Sequence, residues 1–185
     1  RSVDALAGAT GMGVTNTSAH LQVLRRAGLV ETRKDGTKVF YRIAGDDVGA
    51  LLVALRSVAR ARLAEVDRVV RDYFESRDGF EPLSAAELVE RASRGEVVIF
   101  DVRPAEEFAA GHIPGARSVP LDQLDAVLGR LPKGSEIVAY CRGPYCVLAP
   151  QAVERLLAKG YKARRLDEGM PEWRLAGLSV AVGAE

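Results

Sequence analysis

Cysteine and histidine are scarce in this chain of 185 residues, with two of each. The cysteines, Cys141 and Cys146, stand five residues apart. So close a pair in a cytosolic chain is poor material for a structural staple and better material for redox or thiol chemistry. No apolar run approaches the roughly 20 residues that a membrane span needs. The N-terminus lacks the basic-then-apolar layout of a signal peptide. Both absences predict a cytoplasmic protein with no membrane partner. Internal repeats and low-complexity tracts are also missing. What the chain has is 48% hydrophobic and 28% charged residues, enough for one large or two small domains, and two are expected. It opens on Arg1 rather than Met, which predicts further chain upstream.

Net charge is only +1, yet residues 1–75 hold twelve Arg and Lys (Arg1, Arg25, Arg26, Arg33, Lys34, Lys38, Arg42, Arg56, Arg60, Arg62, Arg68 and Arg71) against few acids before Asp46. A basic first part beside a more acidic second part suits a module that meets phosphate. Residues 3–10 and 16–27 read as short helices separated by Gly11-Met12-Gly13, which is helix-turn-helix spacing. LVETRK and TKVFYRI read as strands joined at an Asp35-Gly36 turn. Helix, turn, helix and hairpin together predict a winged helix-turn-helix. From an N-cap at Asp46 or Asp47, one long helix is expected to about Phe74. Its continuous apolar stripe includes Leu51, Leu52, Leu55, Val58, Val66 and Val69. A small winged domain cannot cover that stripe, so a second copy of the chain is expected to.

Residues 76–82 read as a turn-rich junction. The expected domains are therefore 1–75, α+β, and 76–185, α/β with a mostly parallel sheet. In the second, Ser84 and Glu87 form a capping box opening the helix AAELVERAS. Then come the strand VVIFDV (97–102), a loop, a short helix LDQLDAVLGR, the strand EIVAYC (136–141), the helix CVLAPQAVERLLAKG and the strand YKARRLD. Short apolar runs alternating with helices predict a parallel sheet covered on both faces.

EIVAYC ends directly before Arg142-Gly143-Pro144-Tyr145-Cys146 and a helix. Cys141 is thereby placed at the carboxyl end of a parallel strand, where such folds bind ligands. The helix start and the nearby Arg142 are expected to favour the Cys141 thiolate, with Cys146 outside part of that field. Asp101 and Arg103, at the end of VVIFDVR, are expected to organise the loops. His112 reads as a hydrogen-bonded loop histidine and Trp173 as core.

Residues 82–182 resemble a single-domain rhodanese. VVIFDVRPAEEFAAGHIPGARSVP is similar to that family's first signature, YCRGPYCVLAPQAVERLLAKGY to its active loop and following helix, and DEGMPEWRLAGLSV to its closing signature. The resemblance implies that Cys141 accepts sulfane sulfur from thiosulfate or a polysulfide. It implies a persulfide cradled by N–H groups of the loop that Arg142, Gly143, Pro144, Tyr145 and Cys146 form, passed on to a thiol or cyanide, with no cofactor and no metal. Six loop residues match sulfur transfer, whereas related phosphatases carry one more. The pattern departs at Pro144, commonly Gly, and at Cys146, often Arg or another polar residue. These departures argue against ordinary thiosulfate turnover, and the second thiol suggests that Cys146 resolves a Cys141 persulfide.

GMGVTNTSAHLQVLRRAGLVETRKDGTKVFYRIA resembles the central part of the arsenical-resistance repressor (ArsR) family. The resemblance implies double-stranded DNA as partner. Thr15, Asn16, Ser18, Ala19 and Gln22 would face the major groove, and Arg25 or Arg26, Lys34 and Lys38 would meet phosphate or the minor groove. His20 takes a packing or phosphate-contact role. Family metal sensors use cysteine near the first motif helix or histidine on the long helix, and neither is present. Family members also begin with one or two helices before SVDALA, which the resemblance implies are here absent or trimmed. The leading expectation is a homodimeric ArsR-type regulator whose rhodanese domain senses or transfers sulfane sulfur through Cys141. Its rivals are an active sulfurtransferase merely fused to a DNA-binding domain, and an inert rhodanese module binding an oxyanion.

Overall fold

The computed structural model of the chain describes residues 1–70, 72, 82–128, 134 and 136–183. The chain divides into two compact units, Arg1–Ala54 and Leu55–Glu185.

The first unit opens with helix α1 (Val3–Thr10), started by the Ser2 hydroxyl, which accepts the Ala5 N–H at 3.3 Å. Gly11 closes it at φ +67°, a left-handed conformation that glycine adopts without steric cost. Helix α2 (Val14–Arg26) follows, and the pair buries Ala7, Thr17 and Leu21. Strands β1 (Val30–Asp35) and β2 (Lys38–Ile43) pair antiparallel with Asp35 opposite Lys38. The two-residue turn is therefore Gly36-Thr37, one position later than Asp35-Gly36, because Gly36 supplies the positive φ of +58°. The backbone of Arg1 pairs with Tyr41 of β2, its amino group donating to the Tyr41 carbonyl at 2.7 Å and its carbonyl accepting the Tyr41 N–H at 2.8 Å.

Helix α3 (Asp46–Arg62) carries both aspartates in its first turn, so they act inside the helix start rather than as its N-cap. The expected single long helix is interrupted: Val66 donates to the Leu63 carbonyl across a three-residue step, and α4 (Ala64–Val70) begins anew. The expected continuation through residues 71, 73 and 74, and the junction at 76–81, lie outside the described residues. α3 buries none of its side chains, and Leu51, Leu52, Leu55 and Val58 are exposed.

The second unit contains helix α5 (Ala85–Ser93), with both halves of the Ser84–Glu87 capping box formed. After it come β3 (Val97–Asp101), α6 (Ala105–Ala110), β4 (Arg117–Ser118) and α7 (Leu124–Leu128). β5 (Glu136–Tyr140), α8 (Leu148–Ala158), β6 (Lys162–Arg165) and α9 (Met170–Leu175) complete it. α6, β4 and α9 were not read as elements in the sequence, being too short to show a period. The sheet is parallel in the order β4-β3-β5-β6, and Leu83 bridges Leu166 beside β6.

Period-two alternation divides the core. Ile137, Ala139 and Cys141 pack with Phe100, Val102 and the α8 residues Ala149, Ala152, Val153 and Leu156. Val138 and Tyr140 pack on the opposite side with Leu88, Ile99, Phe108 and Trp173. The buried α8 positions repeat at three and four residues, which is why this helix lies flat on the sheet. Each fully buried Leu, Ile or Val contributes about 1.5–3 kcal/mol. Among the described residues no helix is long and apolar enough to cross a membrane.

Candidate functional site

In the order β4-β3-β5-β6, the connection from β3 leads to one side and that from β5 to the other. The carboxyl ends of β3 and β5 therefore flank a crevice, the place where open α/β sheets bind ligands. β3 ends there in Asp101, and β5 runs directly into Cys141.

Because Cys141 lies on the α8 face of β5, its thiol meets the start of that helix. Cys141 is 3% exposed, while Cys146 is half-buried. The Cys141 Sγ lies 3.6 Å from the Cys146 carbonyl oxygen and 3.9 Å from that of Gly143. Its thiol donates toward these two carbonyls, and the Arg142 and Leu148 backbone N–H groups lower the pKa of Cys146. The Cys141 sulfur accepts those of Gly143 and Ala149. Two sulfurs thus share one cradle of loop and helix-start amides.

Two thiols this close titrate as a pair. The Cys146 thiol is lowered to about 5, chiefly by the hydrogen bond from Cys141, then by the Arg142 and Leu148 amides and the Arg142 charge, against the opposing effect of burial. Cys141 is pushed above its ordinary value by the hydrogen bond to Cys146 and by burial. α8 begins at Leu148, not at Cys146, so Cys146 belongs to the loop that precedes the helix. Arg142 is no loose cation beside the thiols either. Its guanidinium makes a bidentate pair with Glu107 of α6, at 2.9 and 2.6 Å, and that hydrogen bond raises its own pKa. What Arg142 gives the sulfur first is its backbone N–H.

Gly143 sits at φ +135°, open to glycine alone, and Pro144 and Tyr145 are half-buried along the loop. Cys146 N–H donates to the Gly143 carbonyl at 3.0 Å, closing the turn. α9 supports the loop from below: Met170 N–H donates to the Cys141 carbonyl at 3.3 Å. Gly169 approaches so closely that a Cβ there would lie 2.1 Å from Gly143 N and 2.4 Å from Arg142 C. Glu107 and Gly169 were missed in the sequence, since the first reads as a helix-surface acid and the second as an ordinary turn.

Asp101 and Arg103 are buried and paired, Arg103 Nε lying 2.9 Å from Asp101 Oδ1. Arg103 also donates to the Gly111 carbonyl at 2.8 Å, and Tyr140 Oη donates to Asp101 Oδ2 at 2.6 Å while accepting the Ile113 N–H. Burial works against the Arg103 charge, but the hydrogen bond and charge of Asp101 outweigh it and raise its pKa. Burial and Asp101 together push the Tyr140 phenol far up. These groups tie the β3 and β5 ends to the 111–113 loop. His112 is fully buried in that loop, its Nδ1 2.9 Å from the Phe108 carbonyl and its ring stacked on Phe108. Trp173 is buried in the core.

Residues 84–176 match the Rhodanese-like domain family. The chain belongs to that family. The rhodanese-like unit is similar to a sulfurtransferase of Allochromatium vinosum, 30% identical over 48% of this chain and 82% of that protein. It is also similar in fold to the BH2092 protein of Bacillus halodurans, with a TM-score of 0.52 and 28% identity over 63% of this chain and 85% of that one. Over 100% of its length the chain is 49% identical to the HTH-type transcriptional regulator Rv0324 of Mycobacterium tuberculosis, of which it covers 80%.

On α2 of the first unit, Thr15, Asn16, Ala19 and Arg25 are exposed, opposite the buried Thr17 and Leu21, and Ser18 is half-buried. Lys34 and Lys38 are exposed at the hairpin tip. Gln22 is half-buried, and its side-chain amide donates to Tyr41 Oη at 3.1 Å, tying α2 to β2. Among the described residues no group of three or more His, Cys, Asp or Glu comes together to hold a metal ion.

Proposed function

We propose that the protein is a cytoplasmic, homodimeric regulator of the ArsR type. In this reading residues 1–75 form a winged helix-turn-helix that binds double-stranded DNA, and residues 76–185 form a rhodanese domain that takes up sulfane sulfur at Cys141 and its loop partner Cys146. The observation that carries the reading is the thiol pair in an amide cradle at the end of β5, within a chain similar along its whole length to a transcriptional regulator. Anionic sulfur suits that cradle, because free N–H groups and a helix start favour negative charge. Sensing is favoured over turnover by Cys146, which replaces a cation with a second thiol able to change the loop's covalent state. The exposed Leu51, Leu52, Leu55 and Val58 supply the apolar face of the dimer.

The test treats the full chain with inorganic polysulfide without oxygen, then measures intact mass, mass in solution by light scattering, and DNA affinity on the same sample. Sulfur-dependent modification of the loop thiols with altered DNA affinity in a dimer is the expected result. Unchanged thiols would remove the sulfur reading, and unchanged affinity on modified protein would favour a sulfurtransferase merely joined to a DNA-binding domain. For the DNA contacts, Asn16→Ala is expected to cost about 1–3 kcal/mol on the operator and little on random duplex. Lys38→Ala is expected to weaken both and flatten the salt slope by about one. Equal losses on both duplexes for Asn16→Ala would cancel its assignment to base reading.

A further inference from the structure

We infer that Arg56, in the second half of α3, is the cation that receives the anionic end of a sulfane sulfur donor at the thiol loop. The inference rests on the reading that this loop takes up sulfane sulfur at Cys141, and it names the charge of the donor and the residue that reads it. Three guanidinium groups stand at or beside the loop, and two are committed elsewhere. Arg142 is held by Glu107 in a bidentate pair at 2.9 and 2.6 Å, and Arg103 is buried against Asp101. Arg56 is different. Among the described residues its side chain meets one charged partner, Glu172, at 3.7 Å, longer than a hydrogen bond, and it is 35% exposed. Its place is nonetheless at the loop. A Cβ built on Gly143 would lie 3.0 Å from Arg56 Nη1, and the Gly143 carbonyl oxygen is 3.9 Å from Cys141 Sγ, so guanidinium and thiol flank one glycine. Tyr145 Oη donates to the Arg56 carbonyl at 3.5 Å, fastening this part of α3 to the same loop. Arg56, Gly143, Tyr145 and Glu172 all belong to the unit Leu55–Glu185. Glu172 does not use up the cation. Its carboxylate accepts the Gly169 N–H at 3.0 Å, and it faces one side of a group that has five N–H donors. The donors left over form a planar fork, the shape that matches an oxyanion.

The step that Arg56 serves balances for two donors. With thiosulfate, Sγ of Cys141 attacks the outer sulfur, the Sγ–S bond forms and the donor's S–S bond breaks. Sulfite leaves with the electron pair and takes the Cys141 proton as hydrogensulfite. With a hydropolysulfide, Sγ attacks the terminal S–H sulfur, and the shortened polysulfide leaves with the electron pair and the Cys141 proton. Neither donor calls for a further oxidant. In both cases negative charge gathers on the leaving group, and a fixed cation beside it stabilises that charge as it grows.

The experiment compares the full chain with Arg56→Gln and Arg56→Lys, without oxygen, in two assays. The first follows sulfur uptake by intact mass over a range of thiosulfate and, separately, inorganic polysulfide concentrations. The second follows alkylation of Cys141, located by peptide mass, with anionic iodoacetate and with neutral iodoacetamide. Arg56→Gln is expected to raise the half-saturating concentration of the anionic donors about tenfold, the scale of one lost hydrogen bond to a charged group. It is expected to lower the iodoacetate-to-iodoacetamide rate ratio at Cys141, while Arg56→Lys, which keeps the charge, stays near the wild-type ratio. A loss seen with thiosulfate alone, or with polysulfide alone, would identify that donor as the one Arg56 receives. An unchanged ratio in Arg56→Gln, or a ratio in Arg56→Lys as low as in Arg56→Gln, would overturn the inference, since a merely structural arginine slows both alkylating agents alike. Sulfur uptake by Arg56→Gln at the wild-type half-saturation for both donors would overturn it as well. No sulfur uptake by the wild type would instead remove the underlying sulfur reading, while the alkylation ratio would still decide whether Arg56 draws anions to Cys141. Unchanged Trp173 fluorescence checks that each variant keeps its fold.

Discussion

Replacing Asp101 with alanine is expected to destabilise the rhodanese-like unit by about 3–5 kcal/mol, the usual result of breaking a buried pair from one side. Asp101 is fully buried and Arg103 nearly so, and the carboxylate also accepts from Tyr140 Oη. Its loss strands a buried guanidinium and a buried phenol, and unsatisfied groups of this kind retain their whole desolvation cost. Trp173, the sole tryptophan, is buried in the same unit, so its fluorescence in urea follows that unit's unfolding within the full chain. Replacing both partners, as Asp101→Leu with Arg103→Met, is expected to restore much of the stability because no unpaired charge remains. An Asp101→Ala protein that unfolds at the wild-type midpoint would show that the pair does not hold the two strand ends.

Gly169→Ala is expected to damage the thiol loop more selectively. The added Cβ would meet Gly143 N, Arg142 C and Gly143 Cα at 2.1–2.4 Å, all of them backbone atoms that no rotamer change can move aside. Overpacking of this kind costs about 1–3 kcal/mol. Displacement of the loop should also slow sulfur uptake by both thiols roughly 100-fold, since a shift of about 1 Å suffices for such a loss. Thiol alkylation, polysulfide uptake and the Trp173 unfolding curve measure the two effects separately. Wild-type uptake in Gly169→Ala would mean that the loop tolerates a wider gap than its contact with Gly169 indicates.

Much of this was legible in the chain. The capping box at Ser84 and Glu87, the alternation through EIVAYC and the three- and four-residue spacing on α8 are local signals, and the corresponding elements formed, α8 starting two residues later than expected. The place of Cys141 at a strand end also follows from local pattern. Less legible were the interruption at Leu63, which no Gly or Pro marks, and the role of Gln22, whose partner Tyr41 lies across the hairpin.

The sequence by itself determined that a thiol pair stands between an apolar strand and a helix, because hydrophobic period and loop residues act over a few positions. Only the tertiary structure decided how the two thiols share one cradle. That outcome depends on where α8 begins, on how deep each sulfur lies and on which amides converge there. It depends equally on Glu107 engaging Arg142 and on Gly169 supporting the loop from a distant segment. Electrostatic and steric terms of this kind act through space between residues far apart in the chain, and no local pattern carries them.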